Sequence, residues 1–296
     1  MPREQITTQK IHDHVSRLGD QHPPIPLSSV DRTVHNPRLV RERFGHTFDY
    51  LARVELEVDR NVLELLTLLP EVREVDRYFY EDVWQPQEIQ HGIILDQVQQ
   101  DLGMPAAEPL LEVPFNMKVL GALAHMSPVQ DIARCMYYLT GASTERQATL
   151  AYNDLARYLK EMGEHELAVS VIGQIKRQEP GHFAFYQMSA TQILTDGTLK
   201  PWQIWTIRSL RDYSYQLVGV DGKKEYLGDM GGVVVQLGLE DELETYAKDI
   251  GRLEARILWA NKNGMEFPPY FLRALKESVD YYREVGIDRG QITTAA

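Results

Sequence analysis

The sequence predicts an all-α chain with a four-helix-bundle core and additional flanking helices. Three observations lead there. Apolar residues recur at alternating steps of three and four over most of the chain, the period of a helix with one buried face. No convincing run alternates with the two-residue period of a strand. The chain also repeats one pattern: a lone Glu is followed, a helical hairpin later, by Glu-x-x-His.

Residues 1 to about 35 carry scattered polar groups and the run QHPPIPL, and they predict an extended arm or mobile tail. Residues 36–296 then form a single helical domain, with no Gly/Ser linker to divide it. Asn36 is an N-cap with Pro37 at the first helical position. From there to about Leu69 one stripe is spelled by Phe44, Phe48, Leu51, Val58, Val62 and Leu65. Glu55 falls on that stripe, where an unpaired carboxylate would cost several kcal/mol, roughly. Glu57 falls on another face and reads as a surface charge. Pro70 marks a break, and a second helix is expected from about Glu71 to Leu102, with Glu81, Trp84, Glu88, His91, Leu95 and Val98 on its inward stripe. A loop follows Gly103, then a short helical piece at about 115–125. A longer helix starts at Pro128, runs through Gly141 to Glu145, and turns near Gly163. The return helix carries Glu179 and His182. The two hairpins therefore span about 37–102 and 128–195. Residues 201–215 read as helix, the segment GVDGKKEYLG as a tight turn or small hairpin, and 238–262 and 269–286 as two closing helices.

Bulk properties narrow the function. With 43% hydrophobic and 25% charged residues the chain has an ordinary soluble composition. Its net charge of −12 argues against a general nucleic-acid binder. No apolar run reaches the roughly 18 residues of a membrane span. The single cysteine, Cys135, excludes an internal disulfide framework and fits a reducing cytoplasm.

The chemistry sits in Glu55, Glu88-x-x-His91, Glu145 and Glu179-x-x-His182. Glu88 follows Glu55 by 33 positions and Glu179 follows Glu145 by 34. At about 1.5 Å per residue, that length out and back through a turn returns the chain to its starting height. Two such hairpins bring four carboxylates and two imidazoles to one centre, the ligand set of ferritin-like di-iron and di-manganese bundles. The carboxylates neutralise and bridge two cations, and imidazole suits iron. A Glu-x-x-His pair alone also decorates many solvated helix faces; its place on the apolar stripe and the matched spacings favour metal.

At the residue level the chain resembles the soluble acyl-carrier-protein desaturases of plants and actinobacteria. Trp84-Gln-Pro-Gln-Glu88-Ile-Gln-His91-Gly92 is similar to their Trp-x-x-x-Glu-x-x-His-Gly, and Glu145-Arg146-x-Ala148-Thr149 to their Glu-Arg-Ala-Thr with one residue inserted. The turn LKEMGEHELA and Glu179-x-x-His182 also match, so the resemblance covers about Val40 to Leu194. It implies two iron ions held by the six residues above, with Glu88 and Glu179 as bridges and O2 as co-substrate. It further implies a double bond introduced into an acyl chain on acyl carrier protein, a ferredoxin-type electron donor and a homodimer, hence a role in fatty acid biosynthesis. Arg38, Arg41 and Arg43, or Lys176 and Arg177, are the candidate docking cations, with a solvated helix face as the plainer reading. Thr149, four residues after Glu145, is the candidate catalytic hydroxyl; the alternative is a hydroxyl bonded to its own helix. Tyr152 and Tyr186 are expected beside the ligands. Gly141 and Ala142 leave room either for substrate or for close helix packing.

The chain departs from the family at Gln178, where the family has an acidic residue, and at Pro180-Gly181 inside the second motif. Pro180 predicts a kink, bulge or fresh helix start at Glu179, and Pro86 a similar irregularity before Glu88. These departures keep open a di-iron hydroxylase or N-oxygenase of a specialised metabolite. A non-enzymatic iron-binding bundle is the third reading, and the ligands suit a mixed iron–manganese pair as well as two irons.

Overall fold

The computed structural model describes residues 5–68, 71–111, 126–220 and 226–286. Every regular element among them is helical. The short helix expected at 115–125, the break at Pro70 and part of the 219–228 turn lie outside the described residues.

The first hairpin is α2 (Pro37–Leu56) and α3 (Val58–Leu68) going out, and α4 (Glu74–Arg77), a π-helical turn (Tyr78–Trp84) and α5 (Gln85–Asp101) coming back. The second is α6 (Ser127–Glu161), a π turn (Leu167–Val171) and α7 (Ile172–Thr195). α2 packs on α5 and α6 on α7. Where a single helix was expected over 37–69, the chain changes helix at Glu57. Asn36 caps α2, its Oδ1 accepting from Leu39 N at 3.2 Å, a contact worth about 1 kcal/mol. The buried Glu164 ties the two hairpins at this end by accepting from the backbone N–H of His35 and of Asn36 at 2.8 and 2.7 Å. Gly163 makes the α6–α7 turn at φ 84°, a conformation that costs glycine nothing.

The expected irregularity before Glu88 is the π turn that ends at Trp84. Pro180 behaves differently: α7 passes through it from Ile172 to Thr195, and the irregular turn lies upstream at Leu167–Val171.

Residues 8–21, expected within an extended or mobile arm, form α1 (Thr8–Gln21). Thr7 caps it by accepting from Lys10 N, and Ile11, Val15 and Leu18 are buried against α7 and the first π turn. Their spacing of four and three is a helical stripe, which the flanking QHPPIPL run outweighed in the sequence reading. Gly181 admits α1: a Cβ there would lie 2.3 Å from Leu18 Cδ1. The imidazole of His14 donates to Gly181 O at 2.9 Å.

The flanking helices are α8 (Pro201–Ser214), α9 (Leu227–Gln236), α10 (Leu243–Ile257) and α11 (Pro269–Val285). α9 was not expected. Its sequence, LGDMGGVVVQ, combines glycines and β-branched residues that disfavour an isolated helix. Burial overrides propensity, because the glycines let α9 press between α2 and α11. A Cβ on Gly231 would lie 2.2 Å from the backbone oxygen of Ser278. Gly231→Ala is therefore expected to cost about 1–3 kcal/mol, read as a lowered denaturant midpoint with the slope unchanged.

Glu57, expected as a surface charge, lies in a buried ion network instead. That side chain is 1% exposed. Its Oε1 accepts from Arg53 Nη1 at 2.6 Å and from Leu110 N at 3.1 Å, and its Oε2 from Arg60 Nη2 at 3.2 Å. One buried stripe was expected, whereas side chains on two faces are buried along α2 and at its junction with α3.

Candidate metal centre

The apolar core divides into two clusters, and each ligand-bearing arm of the two hairpins contributes to both. α2 supplies Phe48 and Leu51 to one, while Val58 at the start of α3 belongs to the other; α5 supplies Leu95, preceded by Trp84 in the other. α6 divides in the same way between Tyr152 and Leu139, and α7 between Ile175 and Phe185. Glu55, Glu88, Glu145 and Glu179 fall at the four boundaries. Each carboxylate interrupts its helix's stripe at the same level of the bundle, so four helices deliver one oxygen-rich layer between two apolar ones.

All six candidate ligands meet in that layer. Ligand atoms of Glu55, Glu88, His91 and Glu179 lie within 4.8 Å of one another, as do those of Glu88, Glu145, Glu179 and His182. Either group could hold a metal ion, and Glu88 and Glu179 belong to both. Glu88 sits between the imidazoles, its Oε2 2.8 Å from His91 Nδ1 and its Oε1 2.9 Å from His182 Nδ1. Glu179 Oε1 lies 3.4 Å from His91 Nδ1, and Glu145 Oε2 3.6 Å from His182 Nδ1. The outer oxygens are steadied by aromatic donors: Tyr152 Oη donates to Glu55 Oε1 at 2.6 Å and Trp84 Nε1 to Glu145 Oε1 at 3.1 Å.

The residues fit a metal pair. Glu179 Oε1 and His182 Nδ1 are buried without an aligned hydrogen bond among the described residues, although His182 Nδ1 is within hydrogen-bond distance of Glu88. Buried polar atoms left so are costly, at about 1–3 kcal/mol each. Cations among them would engage both.

Without metal, the layer balances its charge with protons. Burial, then the neighbouring Glu88 and Glu179 carboxylates, raise the pKa of Glu55 well above its ordinary 4.5. Burial and then Glu88 do the same to Glu179. Burial opposes ionisation of Glu88 too, but His182 and His91 on its two oxygens overcome it and hold that pKa well below 4.5. His182 is raised well above 6.5: burial would lower it, and Glu88 and the other carboxylates outweigh burial.

Two consequences follow. Deprotonation must accompany metal uptake, so titration calorimetry in buffers of different ionisation heat should read net proton release. The metal-free fold should also lose stability with rising pH. Glu55 and Glu179 keep protons that the unfolded chain releases above 4.5, and His182 keeps one that the unfolded chain releases above 6.5. Glu88 has the opposite sign, its contribution being lost only in acid below 4.5. The melting temperature of the metal-free protein is therefore expected to fall between about pH 5 and about pH 8. The metal-loaded protein should show a flatter profile.

A cavity of about 70 Å³ adjoins the layer and touches all four carboxylates. Its other walls are mainly apolar, with Leu51 and Val54 from α2, Ala148 from α6, and Val218 and Met230 from beyond the bundle. Thr149 does not face this space in the expected way: its Oγ1 donates to Glu145 O at 2.8 Å. Thr144, which the sequence reading passed over, is the threonine on the cavity wall. Tyr186 packs where Gly141 leaves room, a Cβ on Gly141 falling 2.2 Å from its ring, so that glycine serves helix packing.

The sequence reading also missed a partner for each histidine. His91 Nε2 is 2.7 Å from Gln178 Oε1, and His182 Nε2 is 2.5 Å from Gln87 Oε1. The signal was present: the repeated unit is Gln-Glu-x-x-His, in Gln87-Glu88 and again in Gln178-Glu179.

No family model matches the chain, and no curated protein matches it. Among the described residues no helix is long and apolar enough to cross a membrane.

Proposed function

We propose that the chain is an O2-dependent di-iron oxidoreductase acting on an unactivated C–H bond, with a carrier-bound acyl chain as substrate. The observation that carries the metal reading is the single buried layer in which Glu55, Glu88, His91, Glu145, Glu179 and His182 form two overlapping ligand groups. The acyl-carrier-protein desaturase reading rests on the motif resemblance over Val40 to Leu194. A ferredoxin-type donor, a homodimer and a cytoplasmic setting come with that resemblance. Iron, when bound, would supply O2 activation and redox chemistry. Glu88 and Glu179 would bridge, with Glu55 and His91 on one metal and Glu145 and His182 on the other. Tyr152 and Trp84 hold the outer carboxylate oxygens, and the apolar cavity wall limits water beside the reacting position.

Arg43, one of the candidate docking cations, stacks over the Tyr158 and Phe44 rings at 4.8 and 5.1 Å. Arg38 pairs with Glu42 at 2.7 Å on an exposed face. Both lie at the surface, within reach of an acidic carrier protein.

Two observations favour a second reading, hydroxylation or N-oxygenation of a small metabolite. The cavity of about 70 Å³ is far below the roughly 300–1,000 Å³ usual for ligand sites, and Gln178 stands where the family has an acid. The deciding experiment supplies iron-loaded, reduced protein with O2 and stearoyl-acyl-carrier protein, and analyses the acyl chain by mass spectrometry. A product two hydrogens lighter is expected. Unchanged chains together with turnover of a small amine or alkane would sink the desaturase reading and leave the oxidoreductase intact.

A further inference from the structure

We infer that Gln87 and Gln178 are positioning residues for the metal centre, fixing both ligand histidines from across the hairpin interface with the N-terminal segment as their anchor. This rests on the metal reading above.

The orientation of each amide follows from which atoms are able to donate. Gln178 Nε2 lies 2.9 Å from Pro23 O and 3.2 Å from His22 O. Gln87 Nε2 also donates to His22 O. A backbone carbonyl only accepts, so the NH2 end of each glutamine must face this segment. Each Oε1 must then face its imidazole, and an Oε1 only accepts. His91 and His182 therefore carry a proton on Nε2, which leaves Nδ1 for metal. With metal on Nδ1, the Nε2–H tautomer of both rings follows from two backbone carbonyls.

The pairing is crossed. Gln178, beside Glu179 on α7, holds His91 of α5; Gln87, beside Glu88 on α5, holds His182 of α7. Neither glutamine holds the histidine of its own motif. His22 O receives both amides, so one peptide group at the end of α1 joins the two hairpins at ligand height. Both glutamines are buried, at 1% and 3% exposure, which makes each of these bonds expensive to lose. This arrangement also accounts for the glycine of the Pro180-Gly181 departure, since Gly181 is where Leu18 of α1 seats.

The clamps are neutral. Four glutamates match the charge of two divalent cations, and among the described residues the groups behind the imidazoles are amides, which add no charge. A carboxylate there would make the imidazole more basic and favour the higher oxidation state of a bound redox metal. An amide orients the ring without that shift.

The test uses the full chain loaded with Zn(II), whose complex lacks unpaired electrons and leaves imidazole protons visible by NMR. Two slowly exchanging Nε2–H signals are expected. Gln178→Leu should abolish protection of the His91 signal alone and Gln87→Leu that of His182 alone, each with a roughly 10–100-fold weaker Zn(II) affinity. Loss of the signal from the histidine of the same motif, or two protected signals with affinity within about twofold, would overturn the assignment. Should a leucine variant fail to fold, Gln178→Glu and Gln87→Glu preserve an acceptor. In those variants the matching Nε2–H should move downfield, and the midpoint potential of the iron-loaded protein should fall. An unchanged resonance and potential would overturn the clamp. A wild-type chain that takes up no metal would instead overturn the underlying metal reading, before either glutamine is changed.

Discussion

Glu88→Ala is expected to lower bound metal from about two ions per chain to less than one, measured by elemental analysis of protein loaded under reducing conditions. The size of the effect follows from position. Glu88 belongs to both ligand groups, and its two oxygens lie 2.8 and 2.9 Å from the two imidazoles. Removing it takes the shared ligand from both groups together. The metal-free protein should suffer as well, because two buried imidazoles lose the carboxylate between them. Breaking a buried pair from one side costs about 3–5 kcal/mol. Glu88→Gln should show weaker metal loss with a smaller stability cost, since the amide keeps one acceptor. Two ions retained by Glu88→Ala would remove Glu88 from the ligand set.

The largest stability effect away from the metal is expected at Arg53. This guanidinium is wholly buried. It donates to Glu57 Oε1 at 2.6 Å, to Asp229 Oδ2 at 2.9 Å and to Gly219 O at 3.2 Å. It joins the α2–α3 junction to α9 and to the loop before it. Arg53→Met fills much of the volume but takes the guanidinium from two buried carboxylates, of which Glu57 keeps Arg60. A loss of about 3–5 kcal/mol is expected by urea denaturation. Arg53→Met combined with Asp229→Asn should recover part of it, because position 229 then buries no negative charge opposite the lost guanidinium. Equal losses in the single and double variants would show that Asp229 does not depend on Arg53.

Much of the site was legible because it obeys a short-range rule. Glu55 on an apolar stripe, the two Glu-x-x-His pairs and the matched spacings each follow from helix geometry and the expense of an unpaired buried carboxylate. The Gln87 and Gln178 clamps were equally periodic, but their partners lie on the opposite hairpin and their anchor is a backbone carbonyl, which has no side-chain signature. Thr149 and Thr144 show a similar limit. Both lie near Glu145 in sequence, and only the packed bundle puts Thr144 on the cavity wall while Thr149 bonds back to Glu145 O.

By itself, the sequence determined the helical class, the two hairpins and the level at which four carboxylates and two imidazoles gather, because helical periodicity and rise act within one element. Tertiary structure alone decided what touches those elements from outside. It folded residues 8–21 into a helix on the second motif. It turned Glu57 from an expected surface charge into part of a buried ion network, and it made a helix of the glycine- and valine-rich α9. In each case the deciding free energy comes from burial against a distant segment, and that outweighs the local preferences on which a sequence reading rests.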